Sequence, residues 1–142
     1  MEITRVTKIT DEIITAFERL IPALTSKTAL PTRAALEDLV RFTGSTLFLA
    51  RDSAGEIVGT ATLTLVCAPT GLHARLEDVV VLESARGQGV GAALTEAVIC
   101  AARELGANYL ALTSNPRRAA ANRLYQRLGF KPWETNVYRL DL

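Results

Sequence analysis

Metal-binding side chains are scarce in this chain. His73 is the one histidine, and Cys67 and Cys100 are the two cysteines among 142 residues. A zinc centre needs several such ligands at close spacing, so no metal site is expected. The two cysteines lie far apart inside apolar stretches and read as buried thiols rather than a disulfide. An excess of one charge is also missing: 16 basic residues face 15 acidic ones, for a net charge of +1. Nucleic-acid binding usually leaves a basic excess, so no nucleic-acid partner is expected. No apolar run is long enough to cross a bilayer, since the most apolar helical stretch is interrupted by Thr95 and Glu96. The start, Met1-Glu2-Ile3-Thr4-Arg5, lacks the apolar core of a signal peptide. The expectation is a cytoplasmic protein with no membrane partner. Repeats, low-complexity runs and linkers are absent too.

What the chain does have is apolar content. Hydrophobic residues make up 49%, enough for a packed core, and the length suits a single domain over residues 1–142. Ile3–Val6 reads as a short strand. Ile13, Ile14, Phe17, Leu20 and Ile21 recur at helical spacing, with Pro22 as the stop. A second helix spans Thr32–Phe42 and ends near Gly44. Thr46–Arg51 and Ile57–Val66 flank a turn at Asp52-Ser53-Ala54-Gly55 and read as a hairpin. Thr60, Thr62 and Thr64 alternate with Ala61, Leu63 and Leu65, which predicts a strand with one face in water. Leu72–Leu82 is the next strand, apolar throughout its last four residues. A helix follows from Gly89 to Leu105, then a strand at Asn108–Leu112. Asn115-Pro116 reads as an N-cap followed by proline at the first helical position, opening a helix to Leu128. Val137–Leu142 alternates as a last edge strand. The predicted architecture is α/β (α+β) with a mixed sheet of about six or seven strands, about four helices on both faces, and a right-handed parallel crossover in the second half.

The chemistry concentrates where the strand Leu72–Leu82 passes into the helix. Arg86-Gly87-Gln88-Gly89-Val90-Gly91 places glycines before a helix whose first N–H groups have no partners within it. Glycines let the backbone turn and let a ligand approach, and the helix start favours an anion. A P-loop is excluded because no Lys-Ser or Lys-Thr follows the glycines. The spacing also departs from the G-x-G-x-x-G of dinucleotide folds. A third reading is a loop for the pyrophosphate of coenzyme A.

This loop matches the Q/R-x-x-G-x-G/A motif, and the chain here resembles the GCN5-related N-acetyltransferase (GNAT) superfamily. Leu112-Thr113-Ser114-Asn115-Pro116-Arg117-Arg118, then Ala121 and Leu124-Tyr125-Gln126-Arg127-Leu128-Gly129-Phe130, resembles the second half of the same pattern. The order of elements is similar from end to end, so the resemblance implies the acyl-CoA N-acyltransferase fold. It implies acetyl-CoA as co-substrate, with its pyrophosphate on the backbone of Gly87, Gln88, Gly89, Val90 and Gly91 beside Arg86. It further implies that the pantetheine arm pairs with Val79, Val80 and Val81 as an added strand, although these valines also read simply as core. Tyr125 falls on an inward stripe where an aromatic is usually core. The resemblance puts it where a tyrosine protonates the departing thiolate. Asn122, one turn earlier, could meet the pantetheine arm or face solvent. Many family members carry asparagine seven residues before the tyrosine, and this chain has Arg118 there.

An acceptor ammonium must lose a proton before it can attack a thioester, so a carboxylate near the strand is useful. Glu77 and Asp78 are candidates. As neighbours on a regular strand they point to opposite faces, and Glu77 is the preferred one. The acceptor pocket is expected from the segment Leu20–Leu36 and from the C-terminal end with Trp133 and Tyr138. The reading is direct transfer of acetyl from acetyl-CoA to a primary amine, small or protein-borne, in a ternary complex. The alternative is a non-catalytic module that senses acyl-CoA, which would have no need of the tyrosine or the carboxylates. A C-terminal edge strand would invite pairing with a second copy, so a homodimer is a further expectation.

Overall fold

A computed structural model describes residues 1–142. Five strands form one sheet in the order β1 (Glu2–Arg5), β2 (Ser45–Arg51), β3 (Ile57–Ala68), β4 (Gly71–Val81) and β5 (Leu110–Ala111). The first four pair antiparallel, and β4 and β5 pair parallel. Helices α1 (Asp11–Leu24) and α2 (Arg33–Arg41) cover one face, while α3 (Val90–Glu104) and α4 (Ala119–Arg127) cover the other. The strand–helix–strand unit β4–α3–β5 is the expected crossover.

The two helices of the first face start at capping threonines. Thr10 and Thr32 cap α1 and α2 by accepting from the N–H groups of Ile13 and Ala35. Gly89 precedes α3 in the left-handed region, and Gly106 follows the helix in the same region. The inward stripe of α3, Val90, Leu94, Val98 and Ala101, is buried against β3 and β4. Full burial of a side chain such as Leu94 contributes about 1.5–3 kcal/mol. On the opposite face Ile13, Phe17 and Leu20 of α1 meet Leu47, Leu49, Ile57 and Val80.

Several expectations are corrected. Pro22 lies inside α1, which runs on to Leu24. It costs only the bond to the Glu18 carbonyl in the final turn, and Thr25 N–H still reaches the Ile21 carbonyl. From Ile57 to Leu63 every residue of β3 is buried, the threonines included. Helices on both sides remove the wet face, and the Thr60 hydroxyl is satisfied by donating to the Phe48 carbonyl at 2.9 Å. Both cysteines are exposed. Cys67 stands at the outer end of the β3–β4 hairpin, and Cys100 faces away from the sheet on α3. Asn115 does not cap α4. Its side chain accepts from the Arg117 N–H at 2.9 Å in a local turn, and the helix begins at Ala119. Val137–Leu142 forms no strand, so the sheet stops at β5 with five strands. No helix is long and apolar enough to cross a membrane.

Candidate active site

β4 changes character at Asp78. Its φ of 51° is the one positive value at a non-glycine residue in the chain. At this point the pairing with β3 slips: Thr62 opposes Glu77, while Thr60 opposes Val80. Ala61 thus faces two residues of β4, which is a bulge. The side-chain alternation resets there. Ala74 and Leu76 point into the α3 core, and after the bulge it is Val79 and Val81 that pack against that core, with Val80 turned to the α1 side.

The bulge separates a strand bonded on both edges from one bonded on a single edge. Before it, β4 pairs with β5 at Ala74–Leu110 and Arg75–Ala111, and further bonds join Asn108 to Leu72 and Ala74 to Tyr109. Beyond Arg75 and Ala111 no ladder links the two strands, and a wedge opens between them. Leu82 N–H bonds to the Val58 carbonyl, so Leu82 and Val80 turn their backbone groups toward β3. Val79 and Val81, out of phase, turn theirs toward the wedge. Arginines take those carbonyls: Arg118 Nη2 donates to Val79 O at 3.3 Å, and Arg86 Nε donates to Val81 O at 3.4 Å.

The glycine loop closes one end of the wedge. A short 3-10 turn, Glu83–Ala85, leads into it. Gly87 and Gly89 have φ of 74° and 81°, and a Cβ at either would meet nothing within 4 Å. These glycines are therefore required by backbone conformation and leave open space above the loop. Gln88 Nε2 donates to the Ser84 carbonyl, bracing the turn. Gly91 is different. A Cβ there would come within 3.2 Å of Leu124, so it serves the approach of α4 to α3.

The far wall of the wedge is the chain from Leu112 into α4. Tyr125 is buried and its ring meets Phe130 edge to face at 5.9 Å. The hydroxyl has no hydrogen-bond partner in the chain. Burial raises the phenol above its ordinary value, and the Arg118 charge partly offsets this. Asn122 Nδ2 donates to the Asn115 carbonyl at 3.0 Å, tying α4 to the end of the wall. Ser114 Oγ is buried there without a partner.

The two carboxylates part company. Glu77 accepts from Arg75 Nε at 2.6 Å on the paired half of the strand. Asp78 has no such partner. Crowding at the bulge desolvates it in part, although its side chain still reaches solvent, and the Glu77 charge adds to the effect, so its carboxyl is pushed up from the ordinary range. Of the residues picked from the sequence, Val79 and Val81 present backbone carbonyls to the wedge, whereas Val80 is paired with Thr60 of β3 and buried on the α1 side and Glu77 is held apart by its ion pair. Sequence reasoning missed the bulge and the arginine contacts to Val79 and Val81. Trp133 and Tyr138, expected in the acceptor pocket, stand away from the body of the chain. A separate hollow lined by Thr7, Lys8, Ile9, Glu37, Val40 and Arg41 lies on the α2 side, away from all of these groups.

The model of the acetyltransferase (GNAT) family matches residues 10–130. The chain belongs to the GNAT acetyltransferase family. GNAT proteins of solved structure are similar over nearly the whole length. An acetyltransferase of Trypanosoma brucei is 28% identical, covers 99% of each chain, and superposes with a TM-score of 0.77. A ribosomal-protein-alanine N-acetyltransferase from Brucella melitensis biovar Abortus 2308 is 21% identical, with 99% of this chain and 100% of that one covered, at a TM-score of 0.75. An aminoglycoside acetyltransferase from an uncultured soil metagenomic sample is 19% identical, with 99% and 95% covered, at a TM-score of 0.81. The last two likenesses establish the fold alone. No curated protein matches the chain. The wedge offers outward backbone groups at Val79 and Val81, and an open glycine loop at the start of α3.

Proposed function

We propose that this protein transfers the acetyl group of acetyl-CoA to a primary amine by direct attack within a ternary complex. The observation that carries the reading is the unpaired edge of β4 at Val79 and Val81, which runs to the glycine loop. Backbone N–H groups from Gly87 to Gly91, at the positive end of α3, hold the pyrophosphate beside Arg86. Val79 and Val81 hold the pantetheine amides as a neighbouring strand would, once Arg118 and Arg86 release their carbonyls. Asn122 and the Ser114 hydroxyl lie along the opposite wall as further polar contacts.

Asp78, rather than the ion-paired Glu77, accepts the proton of the incoming ammonium, directly or through water. Its raised affinity for a proton suits that task better than an ordinary carboxylate. Tyr125 keeps its proton through neutral pH and delivers it to the leaving sulfur. Its free hydroxyl is consistent with a donor waiting for a ligand. Holding both substrates in one wedge supplies much of the acceleration. The geometry of the wedge itself favours no particular acceptor.

The test is release of free thiol from acetyl-CoA across a panel of amines: polyamines, amino sugars, aminoglycosides and peptides with free N-termini or lysines. Turnover with at least one amine, lost in Tyr125→Phe, is expected. Tight acetyl-CoA binding with no thiol release for any amine contradicts the catalytic reading and leaves an acyl-CoA-sensing module.

A further inference from the structure

The wedge chooses no acceptor, but the sheet face beside it carries the groups that could. Helices α1 and α2 bury this face at Leu47 and Leu49 of β2, at Ile57 of β3 and at Val80 of β4. They stop short of β5 and of the paired half of β4. Ala74, Leu76, Leu110 and Leu112 point to the α3 core. Their strand neighbours Arg75, Glu77, Tyr109 and Ala111 therefore line the opposite face, which no helix covers. The Arg75 and Glu77 side chains keep 38% and 37% of their surface in solvent, and Tyr109 keeps 56%.

Three features meet there. Arg75 Nε donates to Glu77 at 2.6 Å, which fixes the guanidinium while both Nη groups stay without a partner in the chain. Two free donors on one planar group make a fork for a carboxylate. Across the ladder from Arg75 stands Ala111, about 4.8 Å away and the last residue of β5 before the wedge opens. Its side chain is a single methyl, so the space above it is open beside the guanidinium. About 7 Å further from the wedge, Tyr109 stacks on His73 with ring centroids 4.8 Å apart and planes 8° from parallel. The ring pair closes the far end. The charges follow an order along this seat: Asp78 and Glu77 at the wedge, then the Arg75 fork, then the rings. A polyamine laid outward from Asp78 would set its second ammonium against Arg75. A zwitterion matches the order, with its ammonium toward Asp78 and its carboxylate on Arg75. The seat is about one residue long, and a planar side chain fills the space between Ala111 and the ring pair.

We propose that the acceptor is a free α-amino acid with an aromatic side chain, held by its carboxylate on Arg75 and by its ring against Tyr109 and His73. Glu77 is a positioning residue that fixes the guanidinium. The acceptor class rests on the acetyl transfer proposed above. In that transfer the α-nitrogen forms the amide bond and the carbon–sulfur bond breaks. One ammonium proton leaves through Asp78 to solvent. A second, lost as the amide forms, restores Tyr125 after the phenol has protonated the sulfur.

The test compares thiol release from acetyl-CoA with L-phenylalanine, with phenethylamine, which lacks the carboxylate, and with L-alanine, which lacks the ring. In the wild type, kcat/KM for phenylalanine is expected to exceed each of the others by about tenfold or more. Arg75→Met should erase the advantage over phenethylamine and keep that over alanine. Tyr109→Ala should do the reverse, a crossed pattern that a general loss of folding does not produce. Phenethylamine used as well as phenylalanine by the wild type, or a preference that survives Arg75→Met, overturns the proposal. Turnover of a polyamine, amino sugar or peptide without turnover of phenylalanine also overturns it, and the acetyl transfer then stands. If no amine is turned over, the transfer reading fails, and ligand-observed NMR of L-phenylalanine with coenzyme A present decides the seat by itself. Binding to the wild type that is lost in Arg75→Met supports the seat, and no binding to the wild type removes it.

Discussion

The first half of β4 is bonded to strands on both sides, at Ala74 and Arg75, whereas its second half is bonded only to β3, through Val80 and Leu82, and leaves Val79 and Val81 facing outward. Both halves pack against the same α3 core. What separates them is one residue with positive φ, Asp78. The first half uses its outer backbone groups to build the sheet. The second half leaves the same groups to two arginines, which a ligand can replace. The sites on the second half carry function because their bonds are left unspent by the fold. By this account, changes on the wedge should alter activity with little loss of stability, and changes on the paired half should do the opposite.

The largest effect is expected from Tyr125→Phe. General acids contribute typically 10²–10⁴-fold, so a fall in kcat on the order of 10²-fold or more is predicted. Because the hydroxyl has no partner in the chain, the melting temperature should stay within about the ±0.5 kcal/mol equivalent of a neutral substitution. A drop in melting temperature that matches the activity loss would make Tyr125 a core residue only.

Next comes the carboxylate pair. Asp78→Asn should lower kcat on the order of 10²-fold if this group is the base. It should also raise stability at neutral pH. The sign follows from the raised folded-state value: above it the fold holds a carboxylate it disfavours, and asparagine removes that charge. Asparagine also tolerates positive φ. Once the pH falls below the ordinary range of an aspartate, the carboxyl is protonated in both states, so the stability gain from removing the charge disappears. Glu77→Gln should change kcat far less, since it breaks a half-exposed ion pair worth about 0–1 kcal/mol. A larger activity loss at Glu77 than at Asp78 would reverse the assignment.

A smaller change is expected from Arg118→Met. Its charge lowers the Tyr125 value against the rise from burial, so its loss should move the alkaline limb of the kcat profile to higher pH. In a Tyr125→Phe background this shift should vanish. Gly89→Ala belongs at the end of the series. The left-handed conformation costs an alanine about 1–2 kcal/mol, with no clash added. The KM for acetyl-CoA should rise modestly while kcat holds.

The same contrast explains what could be read before the structure. The crossover, the glycine turn before α3, the inward burial of Tyr125 and the two-faced helix packing were legible because period and glycine spacing encode them locally. The bulge was not, because aspartate at position 78 tolerates positive φ without announcing it. The buried threonines of β3 and the exposed Cys67 and Cys100 depended on which helix covers which face, a tertiary fact. Pro22 was over-read because a proline two residues before a helix end forfeits only one bond. Val137–Leu142 has the alternation of a strand, but alternation supplies no partner, and within one chain none is met.

The most direct measurement is titration of the protein with acetyl-CoA in a calorimeter, wild type beside Gly89→Glu, with circular dichroism to show that both are folded. The account predicts one site per chain in the wild type and no measurable binding in the variant, where a carboxylate would occupy the space over the loop. Binding that survives in Gly89→Glu, or none in the wild type at millimolar acetyl-CoA, would contradict it.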